Sequence, residues 1–159
     1  MPTTPGPADV TLRRAGPADY DRVSTIYREA SLSNEGDRPL LTAHPELLVF
    51  DPAVLDRNET HAAEVDGEIV GFVTIVVDGD HGEVDDLFVD PAWMRRGVAS
   101  RLMTEAVAAA GAAGATTIEV DANGHALAFY ERAGFVVDRE VELEYGRGLR
   151  MRLAKGSGT

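Results

Sequence analysis

The stretch WMRRGVASRLM, Trp93–Met103, sets two arginines and a glycine directly before a segment whose apolar residues recur at helical spacing. The segment in front of it, VDDLFVDP at 84–91, is typical of a β-strand. Glycine at such a strand-to-helix turn lets a ligand approach the backbone closely, because it has no side chain. A helix N-terminus offers amide N–H groups and a partial positive charge, which suit a phosphate. Two interpretations follow: a phosphate-binding turn, or an ordinary glycine turn.

The charge of this turn differs from that of the whole chain. Residues 90–103 contain three arginines and one aspartate, a local surplus of +2, whereas the chain carries −12. The candidate anion ligands are the backbone amides of Gly97, Val98, Ala99 and Ser100 and the side chains of Arg95, Arg96 and Arg101. The sequence contains neither GxxxxGK[ST] nor GxGxxG, which argues against a kinase or a dehydrogenase.

Length and composition predict one domain over residues 1–159, with a core at about 10–153. The chain has no cysteine, which excludes disulfides and a cysteine nucleophile. The first ten residues lack the features of a secretory signal, and the longest apolar run, Ile69–Val77, is too short to span a bilayer as a helix. We therefore expect a cytoplasmic protein that does not bind membranes.

The net charge of −12 argues against nucleic-acid binding, which requires a surplus of lysine and arginine. The same charge would favour a cationic substrate such as an amine, or would simply keep the protein in solution. The four histidines are scattered without metal-ligand spacing, so no metal is expected. Of these, His44 is a candidate for substrate contact.

The order of predicted elements is β-α-α-β-β-β-α-β-α-β-β. In the first half we expect a strand at 10–16, a helix from Pro17, an irregular stretch at 34–44 and a helical region at 45–57 broken at Pro52. A hairpin at Asp66-Gly67 and a turn at 78–82 then lead to a strand at 83–89, which is followed by a helix to about Gly111. The rest is a strand at 116–122, a short helix closed by Gly134, two closing strands and a frayed tail at 155–159. This order predicts the α/β (α+β) class, with a mixed, mostly antiparallel sheet flanked by helices.

A second motif, NGHALAFYERAGF at 123–135, places Asn123 at the end of a strand and Tyr130 two helical turns further on. Ala126 and Ala133 are small residues on the same face, which would let a ligand pack closely. The alternative is that Tyr130 is a core aromatic residue with its hydroxyl at the surface.

Taken together, the two motifs resemble the GNAT superfamily of acyl-CoA-dependent N-acetyltransferases. That family carries [QR]-x-x-G-x-[GA] at the start of a helix and, downstream, N-x-x-A-x-x-x-Y-x-x-x-G-F. The matching residues are Met94-Arg95-Arg96-Gly97-Val98-Ala99 and then Asn123, Ala126, Tyr130, Gly134 and Phe135. The resemblance covers about 10–153. It departs from the family pattern at Met94, where the pattern has glutamine or arginine, so the polar contact that the pattern implies there is not expected.

The resemblance implies a role for each matching residue. The amides of 96–100, with Arg95 nearby, would hold the CoA pyrophosphate. The backbones of Leu87, Phe88 and Val89 would pair with the pantetheine arm like an added strand. Asn123 would hydrogen-bond the same arm, and Tyr130 would protonate the leaving thiolate.

Glu83 occupies the position where family members often carry a general base. Along the strand, Glu83 and Asp85 would share a face with Leu87 and Val89 if no bulge intervenes. Proton transfer from an ammonium group to a glutamate of ordinary pKa would be uphill by about 8 kcal/mol. Catalysis would therefore require a raised pKa of Glu83, a water relay or a weakly basic amine. Glu83, Asp85 and Asp86 could instead attract a cationic substrate or face solvent.

The resemblance implies an acetyl-CoA-dependent N-acetyltransferase that passes its acetyl group directly to a primary amine of a small molecule. Acetyl-CoA would be a cosubstrate, and a homodimer is possible. The alternatives are transfer of a bulkier acyl group, an acetyltransferase of protein lysines or N-termini, and a catalytically silent CoA-binding regulatory module. Substrate choice would lie in the segments 31–44 and 76–82.

Overall fold

The computed structural model describes residues 10–143 and 146–154. Its strands are β1 (Thr11–Arg14), β2 (Thr60–Val65), β3 (Glu68–Asp78), β4 (His81–Val89), β5 (Thr117–Ala122), β6 (Val136–Leu143) and β7 (Gly146–Ala154). Its α-helices are α1 (Tyr20–Leu32), α2 (Arg38–Ala43), α3 (Ala53–Asp56), α4 (Val98–Ala112) and α5 (Leu127–Arg132). Short 3-10 helices occupy Pro17–Asp19, Pro45–Leu48 and Pro91–Trp93.

The seven strands form a mixed sheet in the order β1-β2-β3-β4-β5-β7-β6. The pairs β1–β2, β2–β3, β5–β7 and β6–β7 are antiparallel, and the pair β4–β5 is parallel. The parallel register joins His81–Val84 to Thr117–Val120, so β4 continues for five residues beyond it. The predicted class is therefore confirmed.

Two compact units divide the described chain, the first formed by 10–74 and 86–105 and the second by 75–85, 106–143 and 146–154. The prediction of one domain over 1–159 stays a prediction. None of the helices in the described part is both long enough and apolar enough to cross a membrane.

The first unit has an aromatic core that fixes α1 and the segment after it. Phe72 is fully buried, and the rings of Phe50 and Phe88 lie 5.4 and 5.7 Å from it. Tyr27 packs edge-on against Phe88 at 4.9 Å and donates its hydroxyl to the Leu47 carbonyl at 2.8 Å. The 3-10 segment at Pro45–Leu48 is thereby tied to α1, and edge-to-face ring contacts of this kind add to the apolar burial.

The second unit packs α4 against its strands through very small residues. Ala106 and Ala110 of α4 are completely buried, and a Cβ at Gly82 would lie 3.5 Å from that of Ala110. Ile118 and Met151 contribute fully buried side chains from β5 and β7. The predicted apolar face of α4 is confirmed at both ends, because Val98 and Leu102 are equally buried in the first unit.

Local signals placed most elements correctly. The hairpin turn at Asp66-Gly67 has φ of 53° and 80°, values that favour glycine and aspartate. One prediction was wrong: the segment 34–44, expected to be irregular, contains α2. Pro39 lies in the first turn of α2, where proline is tolerated, and Leu41 is the side chain that α2 buries.

Several boundaries also differ from those expected. β4 begins two residues earlier than predicted, at His81, and α5 begins at Leu127, later than its motif suggested. The expected tail at 155–159 lies outside the described residues.

Candidate functional site

The turn after β4 is held in an unusual backbone conformation. Arg95 and Gly97 have φ of +64° and +83°, and α4 starts at Val98. The first helical hydrogen bond runs from the Arg101 amide to the Gly97 carbonyl at 3.1 Å. The amides in the first turn of an α-helix have no hydrogen-bond acceptor within the helix. The amides of Val98, Ala99 and Ser100 are groups of this type, which suit an anion.

Asp90 fixes the entry to this turn. Its Oδ1 accepts a hydrogen bond from the Ala92 amide at 2.9 Å, and its own amide donates to the Val70 carbonyl at 2.8 Å. Its Oδ2 lies 2.6 Å from Nη2 of Arg22 in α1, while Nε of Arg22 donates to the Ile69 carbonyl at 2.9 Å. Arg22 therefore ties α1, β3 and the turn to one another.

The arginines of the turn are held in different ways. The guanidinium of Arg96 lies 4.9 Å from the centre of the Trp93 ring, a cation–π arrangement. Arg101 donates a hydrogen bond from Nη2 to the Val10 carbonyl at 3.3 Å, so part of its guanidinium is engaged by the backbone just before β1. Met94, the residue that departs from the family pattern, is exposed.

The end of β4 lies in the same unit as the turn. Phe88 turns its side chain into the aromatic core, Leu87 is half-buried and Val89 is buried. A Cβ at Gly71 of β3 would lie 3.1 Å from the Phe88 carbonyl oxygen, so β3 approaches β4 closely here. This unit thus brings Leu87, Phe88 and Val89 together with the predicted pyrophosphate ligands.

The other predicted site residues, Glu83, Asn123 and Tyr130, belong to the second unit. Asn123 organises the turn that leads into α5. Its Oδ1 accepts hydrogen bonds from the amides of His125 and Ala126, both at 3.1 Å. Because the side-chain oxygen is used in this way, the Asn123 group left for a ligand is its Nδ2 donor.

Tyr130 is 6% exposed, with the rings of Phe129 and Phe135 at 5.2 and 5.5 Å. Burial raises the pKa of Tyr130 to about 12. The end of α5 follows the expected glycine-terminated pattern: Gly134 has φ of +100°, and the Phe135 amide donates to the Tyr130 carbonyl at 3.0 Å. A buried, protonated phenol fits both interpretations of Tyr130, as the proton donor to a thiolate and as a core aromatic residue.

Glu83 belongs to a charged network that sequence reasoning missed. Arg150 of β7 reaches Oε1 of Glu83 at 3.0 Å, Oδ1 of Asp121 at 2.9 Å and Oε2 of Glu119 at 2.5 Å. Nδ1 of His81 lies 3.3 Å from the other oxygen of Glu119. The Arg150 side chain is 13% exposed, whereas that of Glu83 is 37% exposed. One guanidinium thus draws three carboxylates from two neighbouring strands into one cluster.

The available signal for this network was the alternation of charges along β5 and β7, which the register brings opposite one another. Asp121 pairs with Arg150, and Glu83 pairs with Glu119. Whether Glu83 and Asp85 share a face with Leu87 and Val89 stays a prediction. Within the described ranges, no cluster of three or more histidine, aspartate or glutamate side chains is arranged to hold a metal ion.

Comparisons with known proteins agree with this fold and these motifs. The Acetyltransferase (GNAT) family model matches residues 21–135. A mycothiol acetyltransferase from Clavibacter michiganensis is 33% identical over 153 residues, covering 90% of this chain and 47% of that protein. The uncharacterized N-acetyltransferase YafP of Escherichia coli is 32% identical over 90 residues, covering 57% of this chain and 54% of YafP. The chain thus spans about half the length of these relatives.

Solved structures show the same architecture. A GCN5-related N-acetyltransferase from Rhodopseudomonas palustris aligns with a TM-score of 0.74 at 23% identity, covering 97% of this chain and 98% of that one. The PaiA N-acetyltransferase of Thermoplasma acidophilum, solved in complex with coenzyme A, aligns with a TM-score of 0.71 at 15% identity, covering 91% and 98%. At these identities the likeness concerns the fold. With its family model matched over most of its length, the chain belongs to the Acetyltransferase (GNAT) family.

Proposed function

We propose that this protein transfers the acetyl group of acetyl-CoA directly to a primary amine of a small molecule. The observation that carries the proposal is the turn at Arg95 and Gly97, whose left-handed backbone leads into the amides of a 15-residue helix. Amide donors at a helix start, with arginines beside them, suit a pyrophosphate in both geometry and charge. Family membership supports the same ligand.

In this proposal the first unit binds the cosubstrate. The amides of 96–100 hold the pyrophosphate, with Arg95 and Arg96 adding positive charge. The backbones of Leu87, Phe88 and Val89 pair with the pantetheine arm. Because β4 extends beyond its parallel register with β5, these backbone groups belong to the part of the strand that can accept an extra partner. We further propose that Asn123 donates a hydrogen bond to the cosubstrate through its Nδ2 group.

Acetyl-CoA supplies an activated acyl group: the amine nitrogen forms a bond to the carbonyl carbon while the carbon–sulfur bond breaks. The chain has no cysteine, so a cysteine acyl-enzyme does not enter this proposal. Tyr130 faces the developing thiolate and Glu83 receives the ammonium proton, directly or through water. The two side chains thus account for the two protons that must move.

The pKa of about 12 limits what Tyr130 does. Full proton transfer to a thiolate whose conjugate acid has a pKa near ~8.5 would be uphill by about 5 kcal/mol. We therefore propose that Tyr130 donates a hydrogen bond that strengthens as charge develops on sulfur, with the proton moving late. Its phenol stays protonated throughout the physiological range, which suits a donor.

The ion pair with Arg150 constrains the proposed base. One oxygen of Glu83 is engaged by Nη1 of Arg150, so a proton must be taken by the remaining oxygen or passed along a water relay. The half-exposed position of Glu83 leaves room for such a relay. An acceptor amine that is already weakly basic would lower the demand on this residue further.

The test of binding is thermal unfolding with acetyl-CoA, free CoA and ADP. A ligand at 100 times its dissociation constant adds about 2.7 kcal/mol to the unfolding free energy, or roughly 5 to 10 °C for a chain of this size. Gly97→Glu should abolish the shift, because it places a charged side chain at a left-handed position of the turn. Gly16→Glu is the matched control, since no heavy atom lies within 4 Å of its added Cβ. If saturating acetyl-CoA left the unfolding temperature of the wild type unchanged, the proposal would fail.

Turnover with a panel of amines tests the chemistry. Tyr130→Phe should lower kcat by about 100-fold or more while leaving the acetyl-CoA-induced thermal shift intact. The control is Tyr20→Phe, which removes a hydroxyl that donates to the Phe50 carbonyl at 2.9 Å in the first unit. Unchanged turnover in Tyr130→Phe would exclude the proposed acid.

A further inference from the structure

The first unit contains a pocket whose lining includes none of the proposed catalytic or acetyl-CoA-binding residues. Its volume is about 500 Å³, within the range of small-ligand sites. It is lined by Glu29 and Leu32 of α1, Ser33 at the end of α1, Arg38 and Thr42 of α2, and Pro91 after β4. The pocket is open to solvent and mixes apolar surface with one acidic and one basic side chain.

The pocket exists because residues 38–43 form a helix. Arg38 and Thr42 are four residues apart in α2 and therefore lie on one face, one turn above the other. Leu41 faces the protein interior at 3% exposure and holds α2 in place. Glu29 and Ser33 have the same four-residue spacing along α1. Polar side chains of two consecutive helices thus line the pocket.

Arg38 has its guanidinium fixed at the pocket wall. Its Nε donates to the carbonyl of Leu32 at 2.9 Å, one of the last carbonyls of α1, which have no helical partners. The bond orients the plane of the guanidinium. Its two Nη groups form the fork that binds a carboxylate through two parallel hydrogen bonds.

Pro91 connects this pocket to the proposed acetyl-CoA site. It follows Asp90 directly and begins the 3-10 helix of the turn that leads to Arg95 and Gly97. The ion pair from Arg22 to Asp90 holds this segment against α1, the helix that forms one wall of the pocket. A ligand in the pocket would therefore lie beside the chain segment that carries the cosubstrate.

We propose that this pocket binds the acceptor and selects a molecule of amino-acid size that carries one carboxylate beside its amine. Arg38 binds the carboxylate, and Glu29 attracts the ammonium group as the acceptor enters. One positive and one negative side chain match a zwitterion, and Glu29 disfavours a second carboxylate. The inference rests on the proposed acetyl transfer and names its substrate class.

The test compares matched acceptors: glycine, alanine, serine and lysine against their carboxamides, which keep the amine and lose the carboxylate. Wild-type kcat/KM should be higher for the acids. Arg38→Ala should lower kcat/KM for the acids by about 10- to 100-fold and leave the carboxamides and the acetyl-CoA thermal shift unchanged. Arg38→Lys should restore part of the loss, and Arg28→Ala, at an exposed arginine of α1 outside the pocket, should have no effect.

The outcomes separate this inference from the proposed function. Equal use of acids and carboxamides by the wild type, or an equal loss on both in Arg38→Ala, would overturn the carboxylate site while acetyl transfer stands. Absence of both an acetyl-CoA shift and any turnover would overturn the proposed function, and this inference with it.

Discussion

The turn at the end of β4 and the network around Arg150 hold their groups in place by different physical means. In the turn, the predicted ligands are backbone amides, and their positions depend on two left-handed residues and on Asp90. In the network, three carboxylates from β4 and β5 meet on the guanidinium of Arg150 in β7, at sequence separations of 29 to 67 residues. A site made of backbone tolerates most side-chain changes, whereas a site made of side chains depends on strand register.

The difference predicts where each region is vulnerable. The turn should be sensitive at its glycine and at the groups that brace its ends. The network should be sensitive to any change that moves β7 relative to β5, even where no charge is altered, because Arg150 and Asp121 meet through that pairing.

Gly148 offers the most severe test of the network. A Cβ there would lie 2.6 Å from Cδ1 of Leu143 and 2.8 Å from the carbonyl oxygen of Ala122, and the latter is backbone that cannot rotate away. Gly148→Val should therefore lower the unfolding free energy by about 3 kcal/mol and the unfolding temperature by roughly 6 to 12 °C. Urea and thermal unfolding measure both.

Gly124→Ala is the control for Gly148→Val, since its added Cβ meets no heavy atom within 4 Å. It should stay within about 0.5 kcal/mol of the wild type. A stable Gly148→Val variant would mean that β7 shifts at little cost, and the proposed dependence on register would be wrong.

Arg150 itself should show the next largest effect. Arg150→Met leaves three carboxylates close together without their shared cation. A cost of about 2 kcal/mol is expected, below that of a fully buried pair because the carboxylates are partly exposed. Combining it with Glu83→Gln in a double-mutant cycle should give a coupling energy of about 1 kcal/mol.

Arg152→Met, at an exposed position of the same strand, is the matched control and should change stability by less than about 0.5 kcal/mol. Additive effects of Arg150→Met and Glu83→Gln would show that the two side chains do not interact energetically. The network would then be only a geometric arrangement.

These two regions also mark what the sequence could predict. The turn, the Asp66-Gly67 hairpin and the glycine at the end of α5 are specified by residues within a few positions of one another. Their backbone angles follow from glycine and aspartate chemistry. The network needed the register of β5 and β7, which no local pattern supplies, so Glu83 was identified without Arg150.

The prediction for the segment 34–44 was wrong for a different reason, because the helix α2 gives no local sequence signal. Only Leu41 among its six residues is buried, so the segment has no apolar period from which a helix could be read. Short helices of this kind are stabilised by what they pack against rather than by propensity. The pocket at Arg38 was therefore invisible in the sequence, although its segment was expected to influence substrate choice.

Arg22 tests the turn from outside. Arg22→Met removes the ion pair to Asp90 and the bond to the Ile69 carbonyl, while the amides of 96–100 keep their sequence. If those amides bind acetyl-CoA, its dissociation constant should rise about 5-fold, equivalent to about 1 kcal/mol, with little change in kcat at saturation. The midpoint of a thermal-shift titration measures this constant.

Arg22→Lys should recover part of the acetyl-CoA affinity, and Arg28→Met, on an exposed part of α1, should match the wild type. An unchanged dissociation constant in Arg22→Met would show that the turn keeps its shape without its brace. The backbone conformation of the turn would then not depend on the ion pair between Arg22 and Asp90.

The smallest expected effect concerns His61, a buried side chain of the first unit that lies 3.7 Å from Glu105 of α4. Burial lowers the pKa of His61, the charge of Arg14 lowers it further and Glu105 opposes both. The unfolded chain then binds more protons than the folded one between the folded pKa and about 6.5, so stability is lost as pH falls through that window. His61→Gln should remove this part of the pH dependence, and Glu105→Gln should enlarge it, because the one favourable charge is gone. Unfolding temperatures from pH 5 to 8 measure the slopes; identical slopes in all three proteins would mean that α4 rests on this strand through apolar packing alone.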